Sequence, residues 1–113
     1  MAYGVALLLI KKEDEKELEI CYTEDLRMKH RELLNLYSFR AEHNGYMDYY
    51  LDISKEQLPI IYEQTKSVFY GDKKSRIKES EKQQEILNSI LVRTDYDFIR
   101  IHVYEFDLGD NDF

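Results

Sequence analysis

Residues 36–53, LYSFRAEHNGYMDYYLDI, contain the pattern that decides how this chain folds. Asn44 and Gly45 both tolerate the positive φ of a type I′ turn, and this dipeptide between alternating apolar residues is the strongest short-range signal for a β-hairpin. The stretch therefore predicts two antiparallel strands, Leu36–His43 and Tyr46–Ile53. A helix running on through the first of these two segments is the alternative, and the sequence leaves that choice open.

A second hairpin is predicted at the start of the chain. Tyr3–Ile10 is apolar at nearly every position, and Leu18–Tyr22 alternates between apolar and other residues, which is typical of strands. The segment between them, Lys11–Glu17, is wholly charged and suits a turn that projects into water. The side chains expected to point inward on the second strand are Leu18, Ile20 and Tyr22.

Helices are predicted in three places from caps and apolar spacing. The first spans Glu24–Leu34; the second follows a capping box at Ser54–Gln57, continues to Phe69 and ends at a Gly71 C-cap. The third runs from about Ser75 or Ser80 to Val92. The inward residues are Leu26, His30, Leu33 and Leu34 in the first helix, Leu58, Ile61, Tyr62, Thr65 and Phe69 in the second, and Gln84, Leu87 and Leu91, beside Ile86 and Ile90, in the third.

A last strand, Tyr96–Phe106, completes the chain, with Ile99, Ile101 and Val103 directed toward the core. The predicted fold is α+β in the order ββαββααβ, with a mainly antiparallel sheet of four or five strands and helices on one face. No linker or repeat divides the chain, so residues 1–113 are expected to form one domain. Residues 107–113 are expected to be a frayed acidic tail.

Composition excludes several classes of protein. The chain has 113 residues, with 16 Lys and Arg against 23 Asp and Glu, and a formal net charge of −7. This charge argues against direct binding of nucleic acid by phosphate neutralisation. The longest apolar run, Val5–Ile10, is too short for a membrane span. A single cysteine, Cys21, excludes a disulfide scaffold and favours a reducing, cytoplasmic location.

Catalytic and cofactor motifs are absent from the sequence. The four glycines are scattered, so neither a Walker loop nor a dinucleotide fingerprint can form, and the acidic residues near the C-terminus lack the spacing of an EF-hand. We therefore expect no cofactor and no metal. One enzymatic alternative is a small nuclease or other phosphoryl-transfer enzyme centred on His102, Arg100 and Tyr104. His102 would be the base and Arg100 would hold the phosphate, with His30 or Asp97 assisting.

Ten tyrosines distinguish this sequence, and several fall on one predicted strand face. On Tyr46–Ile53, residues of one parity are tyrosines and aspartates, while those of the other parity are suited to the core. A surface that mixes tyrosine with carboxylate is typical of protein recognition. The face comprises Tyr46, Asp48, Tyr50 and Asp52, joined across the turn by Tyr37, Phe39 and Ala41, and the core side comprises Met47, Tyr49, Leu51 and Ile53.

Charge is also distributed unevenly. Residues 94–113 carry six acids against Arg100, a net of −5, whereas residues 73–93 carry a net of +3, concentrated in Lys73–Lys78, where an anion site is left open. The sequence thus predicts a non-enzymatic acidic protein that blocks a basic partner, such as a toxin or nuclease, in the manner of an immunity protein, antitoxin or phage-encoded inhibitor. A structural homodimer through the tyrosine face is a further alternative. The predicted partner-binding residues are Tyr46, Asp48, Tyr50, Asp52, Asp95, Asp97, Tyr104 and Glu105.

Overall fold

The computed structural model describes residues 2–107 as a single five-stranded sheet with three helices. A 3₁₀ turn at Lys55–Gln57 leads into the second helix. The elements are β1 (Ala2–Glu13), β2 (Lys16–Thr23), α1 (His30–Leu33), β3 (Phe39–His43), β4 (Tyr46–Ile53), α2 (Leu58–Thr65), α3 (Lys73–Leu91) and β5 (Phe98–Phe106).

All neighbouring strands are antiparallel, in the order β2-β1-β5-β4-β3. The last strand of the chain therefore lies at the centre of the sheet, between the two hairpins. The predicted α+β class and the element order ββαββααβ are confirmed. Within residues 2–107, no helix is both long and apolar enough to cross a membrane.

The hydrophobic core lies between the helices and one face of the sheet. Alternate residues of the central strands enter it, as predicted for β4 and β5, and the helices and loops supply the opposite wall. Leu58 and Ile99 are completely buried. The core residues of β1, β4 and β5 are Leu7, Leu9, Ile53, Ile99, Ile101 and Val103, and they pack with Leu26, Met28, Leu33, Leu58, Tyr62, Leu87, Ile90 and Tyr96.

The first predicted helix is much shorter than expected, because α1 spans only His30–Leu33. The residues before it are irregular, with bends at Glu24 and Leu26, and their backbone groups bond elsewhere. Gln83, buried in α3, accepts from the Arg27 amide at 2.7 Å and donates to the Asp25 carbonyl at 2.8 Å. Met28 bridges Lys66, and these long-range bonds replace the helical ones.

The same pairing ends α2 at Thr65, so the predicted continuation to Phe69 and the C-cap at Gly71 are wrong. Gly71, at φ +126°, instead precedes Asp72, which caps α3 by accepting from the Ser75 amide at 2.7 Å. The third helix therefore starts earlier than predicted. Its buried polar residue is Gln83, whereas the predicted Gln84 is exposed.

A register shift in the first hairpin corrects the predicted inward face of β2. The shift lies at Leu9/Ile10, where Leu9 pairs Cys21 and Ile10 pairs Glu19, so Ile20 is the extra residue. As a result Tyr22 lies opposite Leu8, on the face away from the helices, and is 48% exposed. A bulge changes the alternation beyond it, which simple period-two reasoning does not anticipate.

A similar irregularity shortens β3, which begins at Phe39 rather than Leu36. Ser38 donates its amide to the Tyr50 carbonyl at 2.7 Å, although Phe39 is the residue paired with Tyr50. Two residues thus lie opposite one, and the alternation shifts. Tyr37 consequently contacts Tyr49 on the helix side, with ring centroids 5.2 Å apart, and the prediction that it joins the tyrosine–aspartate face is wrong.

Candidate functional site: the open face of the sheet

The face of the sheet opposite the helices, here called the open face, carries most of the aromatic and charged side chains of the strands. The β4–β5 register places Asp48 opposite Tyr104, Tyr50 opposite His102, and Asp52 opposite Arg100. The tyrosine–aspartate strand and the His102 face, which the sequence suggested as separate sites, are therefore one surface.

A row of five rings, here called the aromatic row, runs across three strands of the open face. Tyr50 stacks between Phe39 and His102, with centroid distances of 4.8 and 4.6 Å and interplanar angles of 17° and 11°. Tyr104 continues the row beyond His102, and Phe106 ends it. These cross-strand and same-strand contacts hold a partly exposed aromatic surface in fixed positions.

His102 is held from two directions. Its ring stacks on Tyr50, and its Nε2 lies 2.8 Å from Oδ1 of Asp48. Both side chains are about four-fifths covered, since their exposed fractions are 20% and 18%. The second oxygen of the Asp48 carboxylate leaves acceptor capacity for a further donor.

Arg100 forms the most extensive polar contact of the open face. Its guanidinium donates to both Asp52 oxygens, at 2.8 and 2.9 Å, and to Glu17 at 2.7 Å. It also lies over Phe39 and Phe98, at 5.1 and 5.3 Å from the ring centroids. The paired carboxylates raise the pKa of Arg100 above its ordinary value. Arg100 thus ties β5 to β4 and to the first hairpin.

Glu24 closes the opposite end of the open face. Tyr104 donates to its carboxylate at 2.5 Å, and Tyr22 donates to its other oxygen. The hydrogen bond from Tyr104, and after it the one from Tyr22, holds the pKa of the Glu24 carboxyl below its ordinary value. The same bonds raise the pKa of both tyrosines. Both phenols therefore remain neutral donors in neutral solution.

The position of Tyr104 depends on Gly4. A Cβ built on Gly4 would lie 2.2 Å from Cζ of Tyr104, well inside any real contact distance. The ring therefore lies across the backbone of β1, where only glycine leaves room. Ala6, the next residue of β1 on this face, pairs His102 and is fully buried.

Five of the eight predicted site residues lie on the open face, and three do not. Glu105 points to the helix side, where it accepts from the Met47 amide and the Tyr3 hydroxyl. Asp95 pairs with Arg93 in the loop before β5, and the Arg93 contact lowers the pKa of Asp95. Asp97 precedes β5 at the margin of the open face, near Glu17 and Asp52, and accepts from the Lys12 amide at 2.6 Å. The five on the face are Tyr46, Asp48, Tyr50, Asp52 and Tyr104.

The open face also includes residues that the sequence did not single out, namely Gly4, Glu17, Tyr22, Glu24 and Phe98. Their positions depend on the β2-β1-β5 order and on the register shift in the first hairpin, neither of which a local pattern encodes. Tyr46 additionally donates to Asp107 at 2.5 Å. Beyond Asp107, the acidic tail predicted at residues 107–113, which includes Asp110 and Asp112, lies outside the described residues.

Metal and anion sites gain no geometric support in the described part of the chain. Residues 2–107 contain no group of three or more His, Cys, Asp or Glu side chains arranged to hold an ion. Lys73–Lys78 forms the first turns of α3, and Asp72 occupies the cap in front of it. The anion site there stays a prediction.

Comparison with protein-family models, with curated proteins and with solved structures finds no match to this chain.

Proposed function

We propose that this protein is a non-catalytic binding protein whose open face docks onto a basic protein and blocks its working surface. The observation that carries the proposal is the aromatic row, set among carboxylates on a sheet face that the helices leave uncovered. Rigid tyrosines supply contact area at low entropic cost, which is typical of protein recognition surfaces.

The charge of the open face favours a cationic partner. Five carboxylates contribute to it, against the basic side chains of Lys12 and Arg100. The whole molecule carries a net charge of −7, which accelerates encounter with a positively charged protein at low salt. The five carboxylates are those of Glu17, Glu19, Glu24, Asp48 and Asp52.

A toxin or nuclease fits this description of the partner, and the proposed role is that of an immunity protein, antitoxin or phage-encoded inhibitor. Carboxylates on the open face would take the places of substrate phosphates against Lys and Arg of the partner. We also propose a cytoplasmic location, because the one cysteine, Cys21, is an unpaired thiol packed against the core.

Co-expression with the product of the adjacent gene, followed by affinity purification and calorimetry, tests the proposal. We expect a stable complex whose Kd rises with salt. Tyr22→Ala and Phe39→Ala remove exposed rings of the open face, and each should weaken the complex by about tenfold or more, as for interface aromatics in general. Ile60→Ala, an exposed position on α2, is the matched control and should leave Kd unchanged.

Absence of a complex, or a complex indifferent both to salt and to the two ring deletions, would overturn the proposal. Charge removal at Asp48 or Asp52 is a weaker test, since Asp48 also bonds His102 and Asp52 also bonds Arg100 within the sheet. Thermal unfolding of every variant separates lost binding from lost folding.

A small nuclease centred on His102 is the second candidate, because Asp48 orients the imidazole as a carboxylate orients a general base. Against it, Arg100 is occupied by Asp52 and Glu17 and would have to leave both to hold a phosphate. RNA or DNA cleavage by the purified protein that His102→Ala abolishes would replace the binding proposal.

A further inference from the structure

The outer edge of β3 has no neighbouring strand within residues 2–107. In this part of the chain, β3 lies at the end of the sheet and pairs only β4, and all five of its residues, Phe39–His43, are exposed. An edge of this kind presents free backbone N–H and C=O groups and is a template for pairing with another chain.

The turn determines which backbone groups face outward. Asn44 and Gly45 have φ of 51° and 84°, as in a type I′ turn, which closes on a hydrogen-bonded His43–Tyr46 pair. Hydrogen-bonded pairs alternate along an antiparallel ladder, so His43, Ala41 and Phe39 bond to β4. The N–H and C=O groups of Arg40 and Glu42 consequently point away from the sheet.

The side chains of this edge are self-complementary. In residues 39–43, FRAEH, Arg40 and Glu42 flank Ala41 symmetrically, and within residues 2–107 neither forms an ion pair. Antiparallel pairing of two copies about Ala41 places Arg40 of each copy opposite Glu42 of the other. The same pairing brings the outward backbone groups of these two residues together.

Charge selects this register over its neighbours. A two-residue shift in one direction would place Arg40 opposite Arg40, and in the other direction Glu42 opposite Glu42, and like charges directly opposite are destabilising. A one-residue shift would bring opposite faces of the two sheets together. The other sheet edge, β2, carries Glu17 and Glu19 and lacks such complementarity.

We propose that two copies of this chain associate through antiparallel pairing of their β3 strands, about a two-fold axis at Ala41. The product is a continuous ten-stranded sheet whose two open faces lie on the same side. Phe39 of one copy lies opposite His43 of the other, so the two aromatic rows approach each other across the axis. The dimer does not rest on the proposed function, because it uses the sheet edge.

Charge reversal and mixing test the dimer directly. Sedimentation from about 1 µM to about 1 mM, the range expected for a small interface, should show a monomer–dimer equilibrium. Arg40→Glu and Glu42→Arg each turn two attractive pairs into repulsive ones and should weaken dimerisation by about 10- to 100-fold. An equimolar mixture of the two variants should form a heterodimer, because its cross-strand pairs are again opposite in charge.

Lys82→Glu and Glu85→Arg change the net charge equally on exposed positions of α3 and should dimerise as the wild type does. Amide exchange adds a readout within β3: the Arg40 and Glu42 amides should gain protection with concentration, whereas the Ala41 amide should be protected throughout. Tyr104→Ala should leave dimerisation unchanged, which separates this dimer from one formed through the open face.

A monomer at every concentration would overturn the proposal. So would single variants that dimerise like the wild type, or a mixture that remains monomeric. Circular dichroism of each variant confirms that the fold is intact before its dimerisation is compared.

Discussion

Gly4 shows how one residue decides the shape of the open face. The lack of a side chain there lets the Tyr104 ring lie across β1 and reach Glu24. A sequence pattern marks Gly4 as an interruption in an apolar strand, but the ring that fills the space comes from a strand one hundred residues later. The role of such a glycine becomes visible only once the strand order is known.

Gly4→Ala should therefore act through Tyr104. The new Cβ forces the ring aside and breaks its hydrogen bond to Glu24, and we expect the free energy of unfolding to fall by about 1–2 kcal/mol. Urea denaturation measures the change. In a Tyr104→Ala background the same substitution should cost almost nothing or stabilise, because alanine restricts the unfolded chain. An equal loss in both backgrounds would contradict this account.

At the scale of elements, local patterns predicted strands and hairpins well and helix ends poorly. The Asn44–Gly45 turn and the alternation of β4 and β5 are local signals, and both are confirmed. Residues 24–29 have helical spacing, yet Gln83 and the Met28–Lys66 bridge hold them in an irregular, non-helical conformation. These partners are distant in sequence, so periodicity alone could not identify them.

Gln83→Leu tests whether this glutamine holds residues 24–29 in place. Leucine is of similar size but leaves the Arg27 amide and the Asp25 carbonyl without their hydrogen-bond partner. We expect the free energy of unfolding to fall by about 2–3 kcal/mol. Gln84→Leu is the neighbouring control, because the Gln84 side chain is exposed and donates to the exposed Asn88 side chain. Equal midpoints of urea denaturation for the two variants would refute the role of Gln83.

For the whole molecule, the sequence predicted the components of the open face but not their assembly. Tyrosine–aspartate alternation in β4 and the His102 face of β5 were both recognised, and the register brings them together. The acids expected to attract a partner also stabilise the sheet, since Asp48 and Asp52 hold His102 and Arg100. Net charge alone could not reveal that the same carboxylates both attract a partner and stabilise the sheet.

The stability of the fold in acid depends on three carboxyl groups that connect or cap its elements. Glu24 links β2 to β5, Asp72 caps α3, and Asp95 pairs with Arg93, and each has a lowered pKa because of these hydrogen bonds. A carboxyl with a lowered pKa in the folded chain stabilises fully above its unfolded pKa, about 4, and loses this contribution as the pH falls through the lowered value. The folded molecule should therefore weaken in acid.

Glu24→Gln isolates one of these contributions. At pH 7 the variant should unfold at lower urea concentration than the wild type, because Tyr104 and Tyr22 donate to different oxygens of Glu24 and glutamine keeps only one acceptor oxygen, which is uncharged. As the pH falls through the lowered pKa of Glu24 the wild-type carboxyl becomes neutral, so the two urea midpoints should converge. Glu81→Gln, at an exposed position of α3, should match the wild type throughout this range. If the difference in urea midpoint between Glu24→Gln and the wild type were independent of pH, the charge of the Glu24 carboxylate would contribute nothing to stability.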